Sequence, residues 1–170
     1  MQYIKNKLAE PMKTFRLPRY HELPDVGLYL EQVVRYVNRY IIMEENELTP
    51  SMVSNYVKQK LIPGPVKKSY TADSIAYLLF MAYTKTVIPL GDIRFMMGVQ
   101  KETYDLQVAY DYFCAEFENL IQYVYGIKEK EDEIGYDDTE QKELLRSALL
   151  SVTYKIYLEQ YVKFLRERTD

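Results

Sequence analysis

Residues 48–97 read LTPSMVSNYVKQKLIPGP followed by VKKSYTADSIAYLLFMAYTKTVIPLGDIRFMM, and this stretch decides the fold. Thr49 offers a side-chain oxygen as an N-cap. Pro50 fits the first helical position because its missing N–H would have no helical partner there anyway. Together they predict a helix from Pro50 to about Lys60, and the residues after it predict two more helices.

The helix predicted from Pro50 separates its residues by face. Val53, Tyr56, Val57 and Leu61 form the apolar side, and the opposite side carries Ser51, Ser54, Asn55 and Lys58. Short polar donors and a lysine can reach base edges and phosphates, whereas an ordinary solvent face carries Glu and Lys pairs. No acidic residue occurs from Leu48 to Ala72. This pattern favours a DNA-recognition helix, and a merely polar surface helix is the alternative.

The residues after this helix predict a wing and two helices. Pro63 and Pro65 end the helix because neither can donate a backbone hydrogen bond. Val66 to Tyr70 form a short basic segment suited to a wing. Thr71 is the expected cap of a helix ending near Thr86, with an inward stripe of Ile75, Leu78, Leu79 and Ala82. A small helix is expected from Gly91 to Gly98, with Ile93, Met96 and Met97 inward.

Ten positions in this stretch resemble the winged helix-turn-helix of MerR-type bacterial transcription regulators. They are Tyr56, Leu61, Ile62, Pro63, Pro65, Lys68, Tyr70, Leu78, Leu90 and Ile93. Residues 17–38, LPRYHELPDVGLYLEQVVRYVN, also resemble the lead-in of an uncharacterised bacterial family with a MerR-like domain. The resemblance implies a winged-helix DNA reader in a transcription regulator. We therefore expect DNA contacts from Ser51, Ser54, Asn55, Lys58, Lys67, Lys68 and Tyr70.

Three positions depart from the MerR pattern. Lys60 stands where those proteins have a glycine that ends the helix in a left-handed conformation, so a longer or differently shaped terminus is expected here. Val87 replaces a second glycine, in the connector before the next helix. Ser54 replaces an arginine that contacts phosphate, which shifts the expected phosphate contacts to Lys58, Lys67 and Lys68.

The charge is distributed unevenly along the chain, although its net value is only -3. Residues 49–101 hold seven basic and two acidic residues, and residues 102–170 hold eight basic and sixteen acidic ones. A chain with this asymmetry can present a cationic face to phosphate while its far end is repelled. A solvated lysine surface would show the same composition, so the charge supports the helix pattern without replacing it.

A heptad seam follows Gly98. Apolar residues alternate at spacings of four and three over a helix from about Glu102 to Tyr125, ended by Gly126: Leu106, Tyr110, Phe113, Phe117, Leu120 and Val124. After an acidic connection, Asp138 and Gln141 predict a capping box for a last helix that ends near Glu167. Because nothing else in the sequence covers these two helices, we expect the seam to form a homodimer interface.

The two C-terminal helices are rich in tyrosine and phenylalanine. Such rings line ligand pockets in some MerR relatives, which leaves a small-molecule effector as an alternative without direct support. Aromatic residues at helical spacing are more typical of a core or an interface. No cofactor is expected.

Catalytic and metal-binding functions find little support in the sequence. Cys114 and His21 are the only cysteine and histidine, which leaves no pair for a disulfide and no cluster for zinc. No glycine-rich phosphate loop or nucleophile motif is present. The chain also lacks an apolar run of about 18 residues and the apolar core of a signal peptide. We expect a cytoplasmic, non-enzymatic protein without membrane contact.

The prolines at 11, 18 and 24 predict an irregular arm over residues 1–25, and apolar spacing predicts a helix from about Leu28 to Met43. The sequence thus predicts an all-α protein: this arm, a MerR-like winged helix-turn-helix at 26–98 and a helical dimerisation region at 99–170. The expected function is transcription regulation, with a homodimer on two-fold symmetric double-stranded DNA. The alternative is a MerR-like fold that binds another protein.

Overall fold

The computed structural model describes residues 1–135 and 137–168, and within these ranges the chain is helical throughout. Seven α-helices lie there: α1 (Gln2–Ala9), α2 (Leu30–Asn38), α3 (Pro50–Lys58), α4 (Ala72–Thr84), α5 (Leu90–Thr103), α6 (Leu106–Val124) and α7 (Glu140–Arg166). The β pairing in the same residues consists of two isolated bridges. The predicted all-α class is therefore confirmed.

The chain divides into two compact units. The central unit is Pro18–Asp111, and the terminal unit combines Met1–Leu17 with Tyr112–Asp170. In the part of the chain that the structure describes, no helix combines the length and the apolar character that crossing a membrane requires.

The central unit is built around α4. All of its residues from Ser74 to Thr84 are buried except Phe80, which is half-buried. The inward stripe predicted for this helix is correct, but the helix is enclosed on its other sides as well. Fully buried residues from the neighbouring helices α2, α3 and α5 complete the core: Val33, Val37, Val53 and Ile93. Such all-round burial is typical of a helix at the centre of a domain.

The terminal unit has an aromatic core on α6. Phe113 and Phe117 are stacked with ring centroids 6.1 Å apart, and Phe15 packs its edge on Phe117 at 5.8 Å. Further along α6, the Tyr125 ring meets Tyr157 of α7 at 5.1 Å. The α7 face that joins this core is buried: Ala148, Leu149, Val152, Thr153 and Ile156.

The heptad seam predicted as a dimer interface is largely covered by the chain itself. Tyr110, Phe113, Phe117 and Leu120 are all buried, while Leu106 and Val124 are half-buried. Sequence spacing identified the apolar face correctly, but it could not show that other parts of the same chain cover it. The assumption that this seam needs a second chain is wrong.

The connection between α6 and α7 is held by specific hydrogen bonds. Gly126 ends α6 in the left-handed conformation, with φ 69°, as predicted. Asn119 then receives the backbone N–H of Asp132 and donates to its carbonyl, both at 2.8 Å. The cap of α7 is Thr139, whose hydroxyl accepts the Lys142 N–H at 3.3 Å, and not Asp138 as predicted.

The predicted bounds of several other elements were wrong. Residues 2–9 form α1 within the arm predicted to be irregular, because packing buries Leu8 and Ala9 of this short helix. Helix α2 is shorter than predicted, and α5 continues past Gly98 to Thr103. Helix α6 begins only at Leu106, since the extended backbone of Tyr104 separates it from α5.

A buried carboxylate in the terminal unit gives a pH-dependent prediction. Glu116 is 3% exposed and lies 3.8 Å from the Arg146 Nε, while Arg146 also pairs with Glu131. Burial raises the pKa of Glu116 above its ordinary value of 4.5, and the positive charge of Arg146 opposes that rise. A folded-state pKa above the unfolded one means that folding favours the protonated acid, so stability falls as pH rises through the folded pKa.

We therefore expect Glu116→Gln to become more stable relative to the native protein as the pH rises above about 4.5. Urea unfolding of both proteins across pH 4–8, followed by helical circular dichroism, measures this difference. Glu140→Gln, at an exposed carboxylate on the same unit, is the control. A stability difference that does not change with pH would contradict the assignment.

Candidate nucleic-acid interface

Helix α3 begins as its sequence predicts. The Thr49 hydroxyl accepts the Met52 N–H at 3.2 Å, and Pro50 is the first helical residue. Val53 and Tyr56 are buried against the core of the central unit. On the other side of the helix, the four predicted DNA-contacting residues are all exposed: Ser51, Ser54, Asn55 and Lys58. This face therefore carries short hydrogen-bonding groups and one cation toward solvent.

The end of α3 has the left-handed turn that a glycine would normally supply. Lys60 has φ 58°, its N–H bonds to the Val57 carbonyl at 2.9 Å, and the Leu61 N–H bonds to the Tyr56 carbonyl at 2.9 Å. These two bonds define a Schellman cap. The longer or differently shaped terminus expected from the missing glycine is wrong, because the lysine adopts the conformation itself.

A tight hairpin follows at residues 66–69. Val66 and Ser69 exchange two backbone hydrogen bonds of 2.9 Å, and the two lysines between them have φ 49° and 65°. Positive φ at both central positions defines a type I′ turn, for which Asn-Gly is the preferred sequence. Lys67 and Lys68 occupy it instead, and both side chains are exposed at the tip.

This turn stores backbone strain. A left-handed conformation costs a residue with a Cβ roughly 1 to 2 kcal/mol, and two lysines in succession carry that cost at the hairpin tip. Together with Lys60, they are the positive-φ residues other than glycine in the described chain. The strain keeps two cations projecting from a short, fixed turn.

The base of the hairpin is attached to the residues before α2. Leu28 and Tyr70 exchange backbone hydrogen bonds of 3.1 and 2.8 Å. A Cβ added to Gly27 would lie 2.5 Å from the Cβ of Ser69, so only glycine allows this approach. Tyr70 itself is 4% exposed. Its side chain serves the core, and we remove it from the expected set of DNA contacts.

The hairpin also follows directly from the exit of α3. The Ser74 hydroxyl at the start of α4 donates to the Pro63 carbonyl at 3.0 Å. A Cβ built on Gly64 would meet the Val57 side chain at 3.2 Å, which shows how closely this segment packs on α3. The recognition-type face and the basic tip therefore belong to one packed substructure of the central unit.

Arg94 is a cation that the sequence analysis did not connect with this surface. It lies on α5, is exposed, and donates from Nη2 to the Gln59 carbonyl at 2.8 Å. That contact places its guanidinium at the C-terminal end of α3, beside Lys60. A lone arginine 35 residues from Gln59 gave no local signal, because only the tertiary fold brings the two together.

The lysines of this surface retain their charge without acidic neighbours. In the part of the chain that the structure describes, no ion pair involves Lys58, Lys60, Lys67 or Lys68. Asp73, in the first turn of α4, accepts the Tyr20 hydroxyl. This hydrogen bond raises the pKa of Tyr20 to about 12, helped by burial and by the Asp73 charge.

Comparison with known proteins identifies the family. A model described as a domain of unknown function, DUF1836, matches residues 18–113. The chain belongs to the DUF1836 family. No curated protein and no solved structure matches it. The matched range nearly coincides with the central unit, Pro18–Asp111, so the DUF1836 domain comprises the unit that carries α3 and the hairpin.

Proposed function

We propose that this DUF1836 protein is a sequence-specific DNA-binding regulator of transcription. In this proposal α2 and α3 form a MerR-like helix-turn-helix, the hairpin at residues 66–69 is its wing, and α3 enters the major groove. Ser51, Ser54 and Asn55 would then face base edges. The cations would contact phosphates: Lys58, Lys60, Lys67, Lys68 and Arg94.

The observation that carries the proposal is the hairpin tip. Two consecutive lysines hold left-handed conformations that Asn-Gly would adopt without strain. Strain of this kind is retained where the strained group has a function, and a cation fixed on a short turn suits a phosphate. The four exposed polar residues of α3, with no acidic residue from Leu48 to Ala72, support the same conclusion independently.

Binding selection followed by a salt series tests the proposal. Purified full-length protein is used to select fragments from random DNA, and affinity for the selected site is measured from 50 to 200 mM salt. Counterion release lowers the logarithm of the binding constant by about 0.9 per phosphate contact for each unit of log salt. A steep fall is expected. Failure to select any DNA at 50 mM salt overturns the proposal and favours the alternative, a MerR-like module that binds protein.

Asn55 gives the sequence-reading prediction. It is exposed at the middle of the polar face of α3, and an asparagine amide can pair with the two hydrogen-bonding groups on an adenine edge. Asn55→Ala is expected to cost about 1 to 3 kcal/mol at the selected site and to relax preference at one base pair. Repeating the selection with the variant measures both effects. Gln59→Ala, exposed just beyond α3, serves as the control, and equal losses in the two variants would exclude base reading by Asn55.

A further inference from the structure

Helix α7 has a second face that its own unit does not cover. Five large apolar side chains on it are 39 to 59% exposed: Leu144, Tyr154, Leu158, Val162 and Leu165. With Ser147 and Ser151, which are also exposed, they form a continuous row that we call the outer stripe. The buried residues of α7 lie on the opposite side. The helix is therefore apolar on both faces, and one of them contacts only solvent.

The outer stripe has the spacing of a coiled coil. Leu144, Ser151, Leu158 and Leu165 are separated by seven residues each. Ser147, Tyr154 and the half-buried Tyr161 repeat with the same period. A seven-residue repeat keeps a seam facing a partner helix along its whole length. The stripe thus matches another long helix better than a small ligand.

The charges at the two ends of α7 indicate which helix that is. Its first turn carries Glu140 and Glu143, and its last turns carry Lys163, Arg166 and Arg168, all on exposed positions. A second copy lying antiparallel places the acidic end of each α7 beside the basic end of the other. It also opposes the two helix dipoles. A parallel copy would bring like charges together.

We propose that the outer stripe of α7 binds the outer stripe of a second copy of this chain in antiparallel orientation. With the two-fold axis near Tyr154, Leu158 faces Ser151 of the second copy, and the small serine leaves room for it. Leu165 then lies near Leu144 of the second copy, and Arg166 near its Glu143. This dimer does not depend on DNA binding, and it replaces the α6 seam as the means of dimerisation.

Sedimentation of the full chain at micromolar concentration tests the dimer. The native protein is expected at twice the chain mass of 20.3 kDa. Leu158→Glu should return it to the mass of one chain with unchanged helical circular dichroism, because the site is exposed in a single chain. Phe95→Glu, at a 67% exposed residue on α5, is the matched control and should remain dimeric. A native monomer, or a dimeric Leu158→Glu, overturns the proposal.

Charge reversal tests the orientation. Glu143→Lys and Arg166→Glu should each weaken the dimer, since each creates two like-charge contacts in the antiparallel arrangement. Mixing the two variants should restore a heterodimer to native affinity, because both contacts then join opposite charges. If neither single variant weakens the dimer, the copies are not antiparallel and the proposed arrangement is wrong.

Discussion

Replacing Lys67 by Asn and Lys68 by Gly is expected to stabilise the protein and at the same time to weaken its DNA binding. The two lysines have φ 49° and 65° in a type I′ turn, and Asn-Gly adopts that turn with little strain. Relief of the left-handed backbone should raise the free energy of unfolding by about 1 to 2 kcal/mol. Loss of two exposed cations should lower the slope of log affinity against log salt by about 2.

The opposite signs of these two effects make the experiment informative. Lys67→Ala with Lys68→Ala removes the same charges but leaves a Cβ at both positions, so it should weaken DNA binding equally without stabilising the fold. Lys5→Gln with Lys130→Gln removes two exposed cations elsewhere and should change the salt slope much less. Urea unfolding and a salt series of binding constants supply both measurements. Stabilisation with unchanged DNA affinity would remove the hairpin from the interface.

The parts of this surface that the sequence predicts well are those governed by local chemistry. Thr49 and Pro50 fix the start of α3, and the prolines at 63 and 65 force the chain out of the helix. The exposed face of α3 follows from helical spacing alone. These interactions involve residues close together in the chain, so their outcome does not depend on what packs elsewhere.

Interactions between distant residues account for the failures. Tyr70 looked available for DNA because it follows two lysines, yet its pairing with Leu28 buries it. Arg94 was missed because its contact with the Gln59 carbonyl spans 35 positions. Lys60 shows the converse, since a missing glycine signal did not prevent the left-handed cap. A local propensity of about 1 kcal/mol is smaller than the packing that overrides it.

The α6 seam illustrates the same limit on a larger scale. Heptad spacing identified Phe113 and Phe117 as one face, but spacing does not specify whether that face meets another chain or the same one. Phe15, from a segment predicted to be irregular, packs on Phe117 with ring centroids 5.8 Å apart. On α7 the buried and exposed apolar faces are both apolar in sequence, so only the fold distinguishes core from outer stripe.

Phe117→Ala is expected to cause the largest loss of stability in the terminal unit. The ring is fully buried, stacked on Phe113 and met edge-on by Phe15. Truncation of such a phenylalanine to alanine costs about 3 to 5 kcal/mol, from lost burial and from the cavity left behind. Because the chain itself supplies the neighbours, the loss should not depend on protein concentration. A residue at a subunit interface would give a loss that decreases as concentration rises.

Cys114 provides a direct measure of this effect. It is fully buried on α6 within the terminal unit, so a thiol reagent reaches it only when the unit opens. Opening that becomes easier by 3 to 5 kcal/mol should accelerate labelling by about two to four orders of magnitude. Phe95→Ala makes the same change at an exposed ring and should leave the rate nearly unchanged. If labelling of Phe117→Ala slows toward the native rate as protein concentration increases, then Phe117 lies in an intermolecular interface after all.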